Sequence, residues 1–294
     1  MVNISVVIPT CDRPEMLIEA INCVVHQSML AHEIIVVNNG KKPLDCKTLP
    51  KQIIICELPP YIGASEARNQ GAAIASGEYF AFLDDDDLWE MDYLRKVSII
   101  IEDHYPDCII TRLDILVHGQ IMKYKNSDGK LDLATLLVSN PGVGGSTTIV
   151  KNIPFVKISG YDPNLPTSED KSLIIELMQN GYCVESAPHI QAIARFPSGA
   201  RLTQSNSIYK GIKGFLDKYK SFMSFPQKNF NYLKVYYYRF LAKNNAIDYY
   251  LFWVHFLLNI YFSRSNLHIP EHSKLQAPRI ILLIKEKLFT VIKG

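Results

Sequence analysis

Four consecutive aspartates, Asp84–Asp87, stand in the stretch FLDDDDLW, directly after an apolar run and before a Leu-Trp pair. Four neighbouring negative charges repel one another, so either water screens them or a cation binds them. Considered alone, an acidic run indicates a solvated loop. Its place after an apolar strand favours a bound cation, because carboxylate oxygens are the ligands that Mg²⁺ and Mn²⁺ prefer.

Groups that can bind an anion follow the other apolar runs of the first hundred residues. The first run ends in PTCDRP, the second ends in NNG, and Gly63 opens a small-residue segment that carries Arg68. Backbone N–H groups at a helix start and arginine side chains both bind phosphate groups. Carboxylates and a phosphate site lie together where a divalent cation bridges them. We therefore expect Mn²⁺ or Mg²⁺ together with a diphosphate.

The elements that position these residues alternate between strands and helices. The apolar runs are rich in β-branched residues and are uninterrupted, which predicts strands buried on both faces. They are ISVVIPT, EIIVVNN, QIIICEL and EYFAFL, with helical patterns in PEMLIEAINCVVHQ and GASEARNQGAAIASG and further strands predicted in CIITRLDILVHG and GGSTTIV. This order predicts an α/β domain with a Rossmann-like, mostly parallel central sheet flanked by helices. Ligands of such sheets collect at the carboxyl ends of the strands.

Several motifs together resemble a known family. VVIPT, ARNQG, GEYFAFLDDDDLW and SGYDPNLPTSEDKSLIIEL occur in consistent order within residues 3–205. In this combination they resemble a family-2 glycosyltransferase with the GT-A fold. The resemblance implies a metal-dependent, inverting enzyme of the hexosyltransferase class. It would move a sugar from a nucleotide-diphospho-sugar, with UDP-sugar favoured, to a hydroxyl of a saccharide acceptor in surface polysaccharide biosynthesis, such as O-antigen or capsule.

The resemblance gives roles to the acidic residues. Asp84 and Asp86 are the outer members of the D-x-D motif. Asp86 is the first choice for the metal, Asp84 contacts the metal and the sugar or ribose, and Asp85 lies beside them. Asp170 matches the catalytic base, and Glu169 positions the base or the acceptor. Acids in a first helical turn also stabilise the helix dipole, which is compatible with catalysis.

The resemblance also implies a set of nucleotide-sugar-binding residues. They are Pro9, Thr10, Arg13, Asn38, Asn39, Gly63, Arg68, Asp84, Asp85 and Arg201. Two features depart from the family pattern: Cys11 stands where an aromatic ring commonly stacks on the base, and amides at 38 and 39 replace the usual aspartates. An amide pairs with more than one base edge. Arg201 is a hypothesis for clamping the diphosphate, because no His is close in ARFPSGARLTQS.

The C-terminal third has a different composition. Residues 1–209 carry 17 Lys and Arg against 25 Asp and Glu, whereas residues 210–294 carry 14 against 4. YYLFWVHFLLNIYF is a 14-residue apolar run, shorter than the roughly 20 residues that span a bilayer. One interpretation is packing on the catalytic domain. We favour attachment to an anionic membrane surface through this run and IILLIKEKLFTVI, with a lipid-linked acceptor. The aliphatic bulk argues against nucleic acid.

We predict two domains. Residues 1–209 form the GT-A catalytic domain, with nucleotide-sugar binding in 1–100 and the acceptor and catalytic part in 101–209. Residues 210–294 form a helical, aromatic-rich, basic extension. Six scattered cysteines without a C-x-x-C pair indicate buried thiols in a reducing compartment. With no secretory signal visible, we expect a cytoplasmic protein, peripheral on the inner face of the cell membrane.

Three alternative functions require other sequence features. A sugar-nucleotide pyrophosphorylase needs a glycine-rich, arginine-bearing loop after the first strand, and PTCDRP does not supply it. A dinucleotide oxidoreductase needs G-x-G-x-x-G at the same place. A non-catalytic GT-A scaffold that docks through its tail would not need aspartates at both chemical positions. The pyrophosphorylase-like enzyme and the scaffold stay open as alternative functions.

Overall fold

The computed structural model describes residues 2–45, 49–50, 52–117, 119–123, 131–195, 206–243 and 245–264. The chain divides into two compact units, one made of Met1–Leu133 and Pro141–Arg201, the other of Ala134–Asn140 and Leu202–Gly294. Nothing in the sequence pattern singled out 134–140 as part of the second unit. The division after residue 209, like the subdivision at 100, stays a prediction.

The first unit contains a mixed sheet. Its described strands are β1 (Ile4–Thr10), β2 (Glu33–Asn38), β3 (Ile53–Glu57), β4 (Tyr79–Phe82), β5 (Asp87–Trp89), β6 (Cys108–Val117), β7 (Gln120–Lys123), β8 (Thr148–Lys151) and β9 (Val184–Arg195). Their order is β3-β2-β1-β4-β8-β6-β9-β5, with β7 beside β6. The pairs among β3, β2, β1 and β4 are parallel, as is β6 with β9, and the other pairs are antiparallel. The predicted α/β class is confirmed.

Helices flank this sheet and follow it along the chain. They are α1 (Pro14–Val25), α2 (Ala64–Ile74), α3 (Tyr93–His104), α4 (Leu133–Leu136), α5 (Asn152–Lys157), α6 (Glu169–Gln179), α7 (Asn206–Tyr219), α8 (Phe225–Lys243) and α9 (Ala246–Arg264). The apolar faces of α1 and α3 share one buried cluster with alternate residues of β1, β2 and β4. Burying β-branched strands between helices in this way supplies most of the apolar burial of the unit.

Helix α2 packs on the other face of the parallel strands. Gly71 allows this close approach, since a Cβ there would lie 2.3 Å from Cγ1 of Val7 and 2.9 Å from Cγ2 of Val37. Both valines point away from the α1 side, because neighbouring strand residues alternate between faces. The small residues of α2 thus bring Arg68, which lies on the same helix, close to the sheet.

The described part of the second unit is helical, as the sequence predicts. Helices α8 and α9 pack around a small apolar cluster that includes Val138, Phe230 and Phe252. Asn231 ties the short segment 134–140 to α8, because its Nδ2 donates to the carbonyl of Leu137 at 2.9 Å. Within the described ranges, none of the helices combines the length and the apolar character that crossing a membrane requires. The predicted apolar segment 280–292 lies outside the described residues.

Candidate active site

The carboxyl ends of β1, β2 and β4 meet at one edge of the sheet. Thr10, the last residue of β1, is in register with Asn38 at the end of β2. Leu83, which follows β4, donates its N–H to the carbonyl of Val7 at 3.0 Å. The acidic run Asp84–Asp87 therefore starts beside the end of β1, at the edge where ligands of parallel sheets collect.

Asp85 is the member of this run that points into the protein, where it is fully buried. Thr10 Oγ1 donates to Asp85 Oδ2 at 2.7 Å, and Arg13 Nη2 lies 2.6 Å from Asp85 Oδ1. Burial raises the pKa of Asp85 to about 6, while Arg13 and Thr10 act in the opposite direction. The structure therefore gives Asp85 a place beneath the surface, as an anchor for the loop, and its contact with a nucleotide-sugar stays a prediction.

Three carboxylates of the run face one another. Oxygen atoms of Asp84, Asp86 and Asp87 lie within 4.8 Å of one another. The backbone turns back here, since the N–H of Asp87 donates to the carbonyl of Asp84 at 3.0 Å. Such a set of hard oxygen donors fits Mg²⁺ or Mn²⁺. Metal binding by Asp84 and Asp86 stays a prediction. The sequence did not indicate that Asp87 lies beside them, because the D-x-D pattern considers only alternate residues and does not describe the turn.

Ser146 supports the turn formed by Asp84–Asp87, which we call the acidic turn. Its Oγ accepts from the N–H of Asp84 at 3.0 Å and donates to Asp87 Oδ2 at 2.6 Å. Its carbonyl accepts from Trp89 Nε1 at 2.8 Å and from the hydroxyl of Tyr93 at 3.2 Å, and these two rings are stacked with centroids 4.2 Å apart. Ser146 is part of NPGVGGS, a stretch whose glycines suggested a turn, but its contact with the aspartates depends on tertiary packing.

Arg195, at the end of β9, holds the same loop through its backbone. Its Nε donates to the carbonyl of Asp86 at 3.1 Å, and its Nη2 donates to the carbonyl of Asp85 at 3.1 Å. The guanidinium also contacts Glu19 and the carbonyl of Met16 on α1. A nine-tenths buried arginine that binds main-chain oxygens fixes the loop without taking up its carboxylates.

Arg13 lies at the rim of this site, just before α1. Its Nη1 is 2.6 Å from Asp86 Oδ2, in addition to the contact with Asp85. The side chain is more than one third exposed. The cation therefore sits where solvent and an incoming anion reach it, so this ion pair is weaker than a buried one.

Arg68 is the buried counterpart of Arg13 and joins two acidic regions. Its Nη2 lies 2.6 Å from Asp84 Oδ1, and its Nη1 lies 3.4 Å from Glu169 Oε1 and 3.9 Å from Asp170 Oδ1. Its guanidinium also covers the ring of Tyr161 at 5.1 Å. The sequence predicted phosphate contact for Arg68; the structure places it in ion pairs, and phosphate contact stays a prediction.

A glycine makes room for this arginine. A Cβ on Gly145 would lie 2.5 Å from Nη2 of Arg68 and 2.9 Å from its Cζ. At the neighbouring Gly144, the nearest atom to a Cβ would be Thr147 Oγ1 at 4.0 Å. Of these two glycines, only Gly145 is therefore required by the available space.

Glu169 and Asp170 form the start of α6, where the chain enters the helix through Ser168 in a left-handed conformation (φ 72°). Burial raises the pKa of Asp170, and the charge of Glu169 raises it further, while Arg68 lowers it. Burial also raises the pKa of Glu169, again against Arg68. Asp170 Oδ1 is buried and accepts no hydrogen bond from the described residues. A carboxylate with a raised pKa and a free acceptor atom is suited to take a proton.

The predicted nucleotide residue Asn38 is engaged by the protein itself. Its Nδ2 donates to Glu57 Oε2 at 2.7 Å and to the carbonyl of Lys42 at 2.8 Å. Its Oδ1 accepts from the N–H of Gly40 at 2.9 Å. Both ends of the amide thus shape the loop after β2, and a contact of Asn38 with a base or ribose stays a prediction.

Tyr61 and Asp12 join this edge of the sheet, and sequence reasoning missed both. The N–H of Tyr61 donates to the carbonyl of Asn39 at 2.7 Å, and its hydroxyl donates to Asp12 Oδ2 at 2.9 Å. The N–H of Lys41 donates to Asp12 Oδ1 and, with Tyr61, lowers the pKa of Asp12. The ring of Tyr61 is exposed. No local pattern marks Tyr61, because a loop brings it here from beyond β3.

The remaining residues that were predicted to bind the nucleotide-sugar are Pro9, Gly63, Asn39 and Arg201. Pro9 is buried within β1, in register with Val37. Gly63 precedes α2 with φ 97°, a conformation that favours glycine, and no atom lies within 4 Å of a Cβ placed there. Asn39 is buried, and its N–H donates to the carbonyl of Thr10. Arg201 lies outside the described residues.

Known proteins share both the sequence pattern and the fold. Residues 5–123 match the family described as Glycosyl transferase family 2. An uncharacterized glycosyltransferase of Haemophilus influenzae is 24% identical over 191 residues, covering 60% of this chain and 62% of the relative. The amylovoran biosynthesis glycosyltransferase AmsB of Erwinia amylovora is 29% identical over 113 residues, covering 34% of this chain and 36% of the relative. The chain thus spans less than two thirds of the length of these relatives.

A solved structure extends the likeness to the fold. S. aureus TarS 1–349 in complex with UDP-GlcNAc superposes with a TM-score of 0.63 at 15% identity, covering 86% of this chain and 79% of that one. The expected family resemblance is confirmed, and the α/β sheet with its flanking helices is similar to the fold of TarS. Residues 5–123 therefore resemble glycosyl transferase family 2, and the fold of the chain is similar to that of TarS.

Proposed function

We propose that this protein is a metal-dependent, inverting glycosyltransferase that uses a nucleotide-diphospho-sugar, with UDP-sugar the favoured donor. The observation that carries the proposal is the pair of acidic regions joined by one buried arginine. Arg68 contacts Asp84 in the acidic turn and both Glu169 and Asp170 at the start of α6. One region suits a diphosphate with its cation and the other suits a proton transfer, as displacement at an anomeric carbon requires.

The donor end of the site is the acidic turn. Asp84, Asp86 and Asp87 would hold Mn²⁺ or Mg²⁺, because their oxygens converge and are the ligand type that both ions prefer. When bound, the cation supplies positive charge that stabilises the departing nucleoside diphosphate. Arg13 adds a second positive charge at the rim, where its exposed guanidinium can exchange Asp86 for a phosphate oxygen.

The base end of the site is Asp170. Its raised pKa and its buried Oδ1 favour acceptance of the proton from an attacking acceptor hydroxyl. Direct attack of that hydroxyl on the anomeric carbon inverts the configuration and needs no covalent intermediate. Arg68 keeps the two carboxylates of α6 beside the acidic turn, so the base stays in place without a bound substrate.

The nucleoside would lie across the ends of β1 and β2. Cys11 offers no ring for a base, whereas Tyr61 presents an exposed ring that two hydrogen bonds fix to Asn39 and Asp12. Stacking of a base on an aromatic ring contributes about 1–3 kcal/mol. We therefore assign to Tyr61 the base contact that the family commonly makes from the position of Cys11. The UDP-GlcNAc complex of TarS supports a nucleotide-sugar donor here.

The acceptor is proposed to be a saccharide, carried on a lipid, in the assembly of a surface polysaccharide. AmsB is named for amylovoran biosynthesis, which supports polysaccharide assembly as the setting. A lipid-linked acceptor places the enzyme at the cytoplasmic face of the cell membrane. The basic composition of residues 210–294 supports attachment to an anionic surface.

Donor binding and turnover test this proposal together. A thermal-shift screen of nucleotide-sugars, with and without Mn²⁺, should give one donor that raises the melting temperature only with the metal. Mass spectrometry should then detect slow release of the nucleoside diphosphate from that donor, abolished in Asp170→Asn. Binding without any release would indicate the scaffold alternative. Formation of a nucleoside triphosphate with pyrophosphate would indicate the pyrophosphorylase alternative.

A further inference from the structure

Helix α9 is apolar on both sides, since Phe252 is buried and Leu257 is exposed, and it also carries polar side chains on its buried side. On the buried side lie Asp248 and Asn259, which are 1% and 9% exposed. His255, between them, has its Nδ1 2.6 Å from Asn229 Oδ1 on α8 and stacks on the ring of Tyr232. A helix of a soluble unit ordinarily exposes polar side chains on its outer face and buries apolar ones.

The exposed side of α9 is an apolar stripe at helical spacing, Ile247, Tyr250, Val254, Leu257 and Tyr261, which we call the α9 stripe. Four of its members are 62–68% exposed, and Val254 is half-buried. The positions follow the 3-4-3-4 spacing that places residues on one helix face. Large contiguous apolar patches on a surface mark interaction sites.

We propose that the α9 stripe docks the protein on an anionic lipid surface, with the helix lying parallel to the membrane plane. Tyrosine rings with a polar tip suit the headgroup region, and aliphatic side chains suit the upper acyl region. Since no described helix can span a bilayer, attachment from one side is the geometry that remains for this surface. This proposal deepens the proposed function, because it gives the lipid-linked acceptor a surface on which the enzyme meets it.

Charge favours a lipid surface over a second copy of the chain. Residues 208–261 contain eight Lys or Arg against two Asp. Both aspartates are in ion pairs within the helices: Asp217 lies 2.5 Å from Lys213, and Asp248 contacts Arg239. Two such basic units repel each other, whereas an anionic leaflet attracts each basic side chain by about 1 kcal/mol near its surface.

Vesicle flotation of the full chain tests the proposal without any need for catalysis. Vesicles of phosphatidylcholine with 30% phosphatidylglycerol should float the wild-type protein, and vesicles of phosphatidylcholine alone should float several-fold less. The double variant Tyr250→Glu, Leu257→Glu should lower the floated fraction at least fivefold. The matched control is Ile153→Glu, Val156→Glu, at two α5 side chains that are 60% and 64% exposed, and it should float as the wild type does.

A measurement on the wild-type chain covers the case in which the stripe variant folds poorly. Trp253 follows the stripe at the boundary with the buried side of α9, where it is half-buried against Phe252 and Phe256, whereas Trp89 is 4% exposed in the first unit. Brominated lipids in the anionic vesicles should quench about half of the tryptophan emission, that of Trp253, and leave the remainder.

Three results would overturn the proposal. The first is equal flotation of the wild-type and stripe-variant proteins; loss of flotation only on deletion of 265–294 would then assign attachment to that segment. The second is absence of quenching. The third is a wild-type dimer in sedimentation that the stripe variant converts to a monomer, which would assign the stripe to a second copy. Donor-dependent thermal shifts retained in the stripe variant would separate a failure of this proposal from a failure of the proposed catalysis.

Discussion

The acidic turn of the first unit and helix α9 of the second unit both reverse the ordinary distribution of side chains. At the turn, charged groups lie inside: Asp85 and Arg68 are buried, and each has ion-pair partners of the opposite sign. On α9, the apolar Leu257 lies outside. A buried charge network is held by many contacts, whereas an exposed apolar side chain has fewer contacts to lose.

Because of this difference, substitutions in the two regions should have different effects. Altering one charge in the turn leaves its partners unpaired in a low-dielectric site, which costs both stability and function. Altering an exposed side chain of the α9 stripe should cost little stability, as substitutions of exposed side chains usually do.

The largest effect is expected at the base. Asp170→Asn should lower the turnover number about 1,000-fold, because an amide cannot accept the proton of the acceptor hydroxyl. Donor affinity should change little, since Asp170 faces Nη1 of Arg68 whereas Asp84 of the acidic turn is bound by Nη2. Steady-state kinetics would measure both quantities, with Asp103→Asn on the exposed side of α3 as the control. A variant that keeps one tenth of the activity would exclude Asp170 as the base.

Replacing the buried arginine compares the two regions directly. Arg68→Leu should lower the free energy of unfolding by about 3–5 kcal/mol, because it leaves carboxylates buried without their counter-ion. Leu257→Glu on the α9 stripe should change the same quantity by less than about 0.5 kcal/mol. Urea denaturation would measure both. Equal losses in the two variants would contradict the difference drawn between the regions.

Two adjacent glycines sharpen the test around Arg68. Gly145→Ala should cost about 1–3 kcal/mol of unfolding free energy, since its Cβ meets a guanidinium that three carboxylates hold in place. It should also reduce turnover by displacing Arg68. Gly144→Ala should be neutral within about 0.5 kcal/mol, because its Cβ has space. Urea denaturation of the two variants would measure these unfolding free energies. Similar values would mean that Arg68 can move away from the added Cβ.

At the nucleoside end the expected effect is smaller. Tyr61→Ala should raise the donor KM about tenfold through loss of roughly 1.4 kcal/mol of stacking, with turnover nearly unchanged. Tyr61→Phe keeps the ring and loses only the hydrogen bond to Asp12, so its KM should lie between those of the wild type and Tyr61→Ala. An unchanged KM in the alanine variant would remove Tyr61 from the base contact.

The smallest effect is a shift in pH dependence. As the proposed base, Asp170 would have to be deprotonated, so activity should fall as pH decreases through its raised pKa. Glu169→Gln removes a negative charge that raises this pKa, although burial remains the larger cause. The acidic limb of the turnover profile should therefore move to lower pH. The control Glu102→Gln, exposed on α3, should leave the limb in place. An acidic limb that moves to higher pH in Glu169→Gln would contradict the electrostatic coupling between Glu169 and Asp170.

Much of this architecture could be predicted because it depends on local pattern. Uninterrupted β-branched runs predicted the parallel strands, and their ends marked the edge where Asp84 and Thr10 lie. The turn that adds Asp87, the loop that brings Tyr61 to β2 and the serine below the aspartates depend on contacts between residues distant in sequence. Ion pairing of Arg68 with α6 spans about one hundred residues, and no spacing rule reaches so far.

The proposed function requires that the acidic turn bind a dication that holds the diphosphate of the donor. Crystals grown with Mn²⁺ and UDP test it most directly, through anomalous diffraction at the manganese edge. We expect one strong anomalous peak per chain, within coordination distance of a phosphate oxygen and of carboxylate oxygens of Asp84, Asp86 or Asp87. A well-ordered UDP with no manganese at the turn, or a metal bound elsewhere, would contradict it.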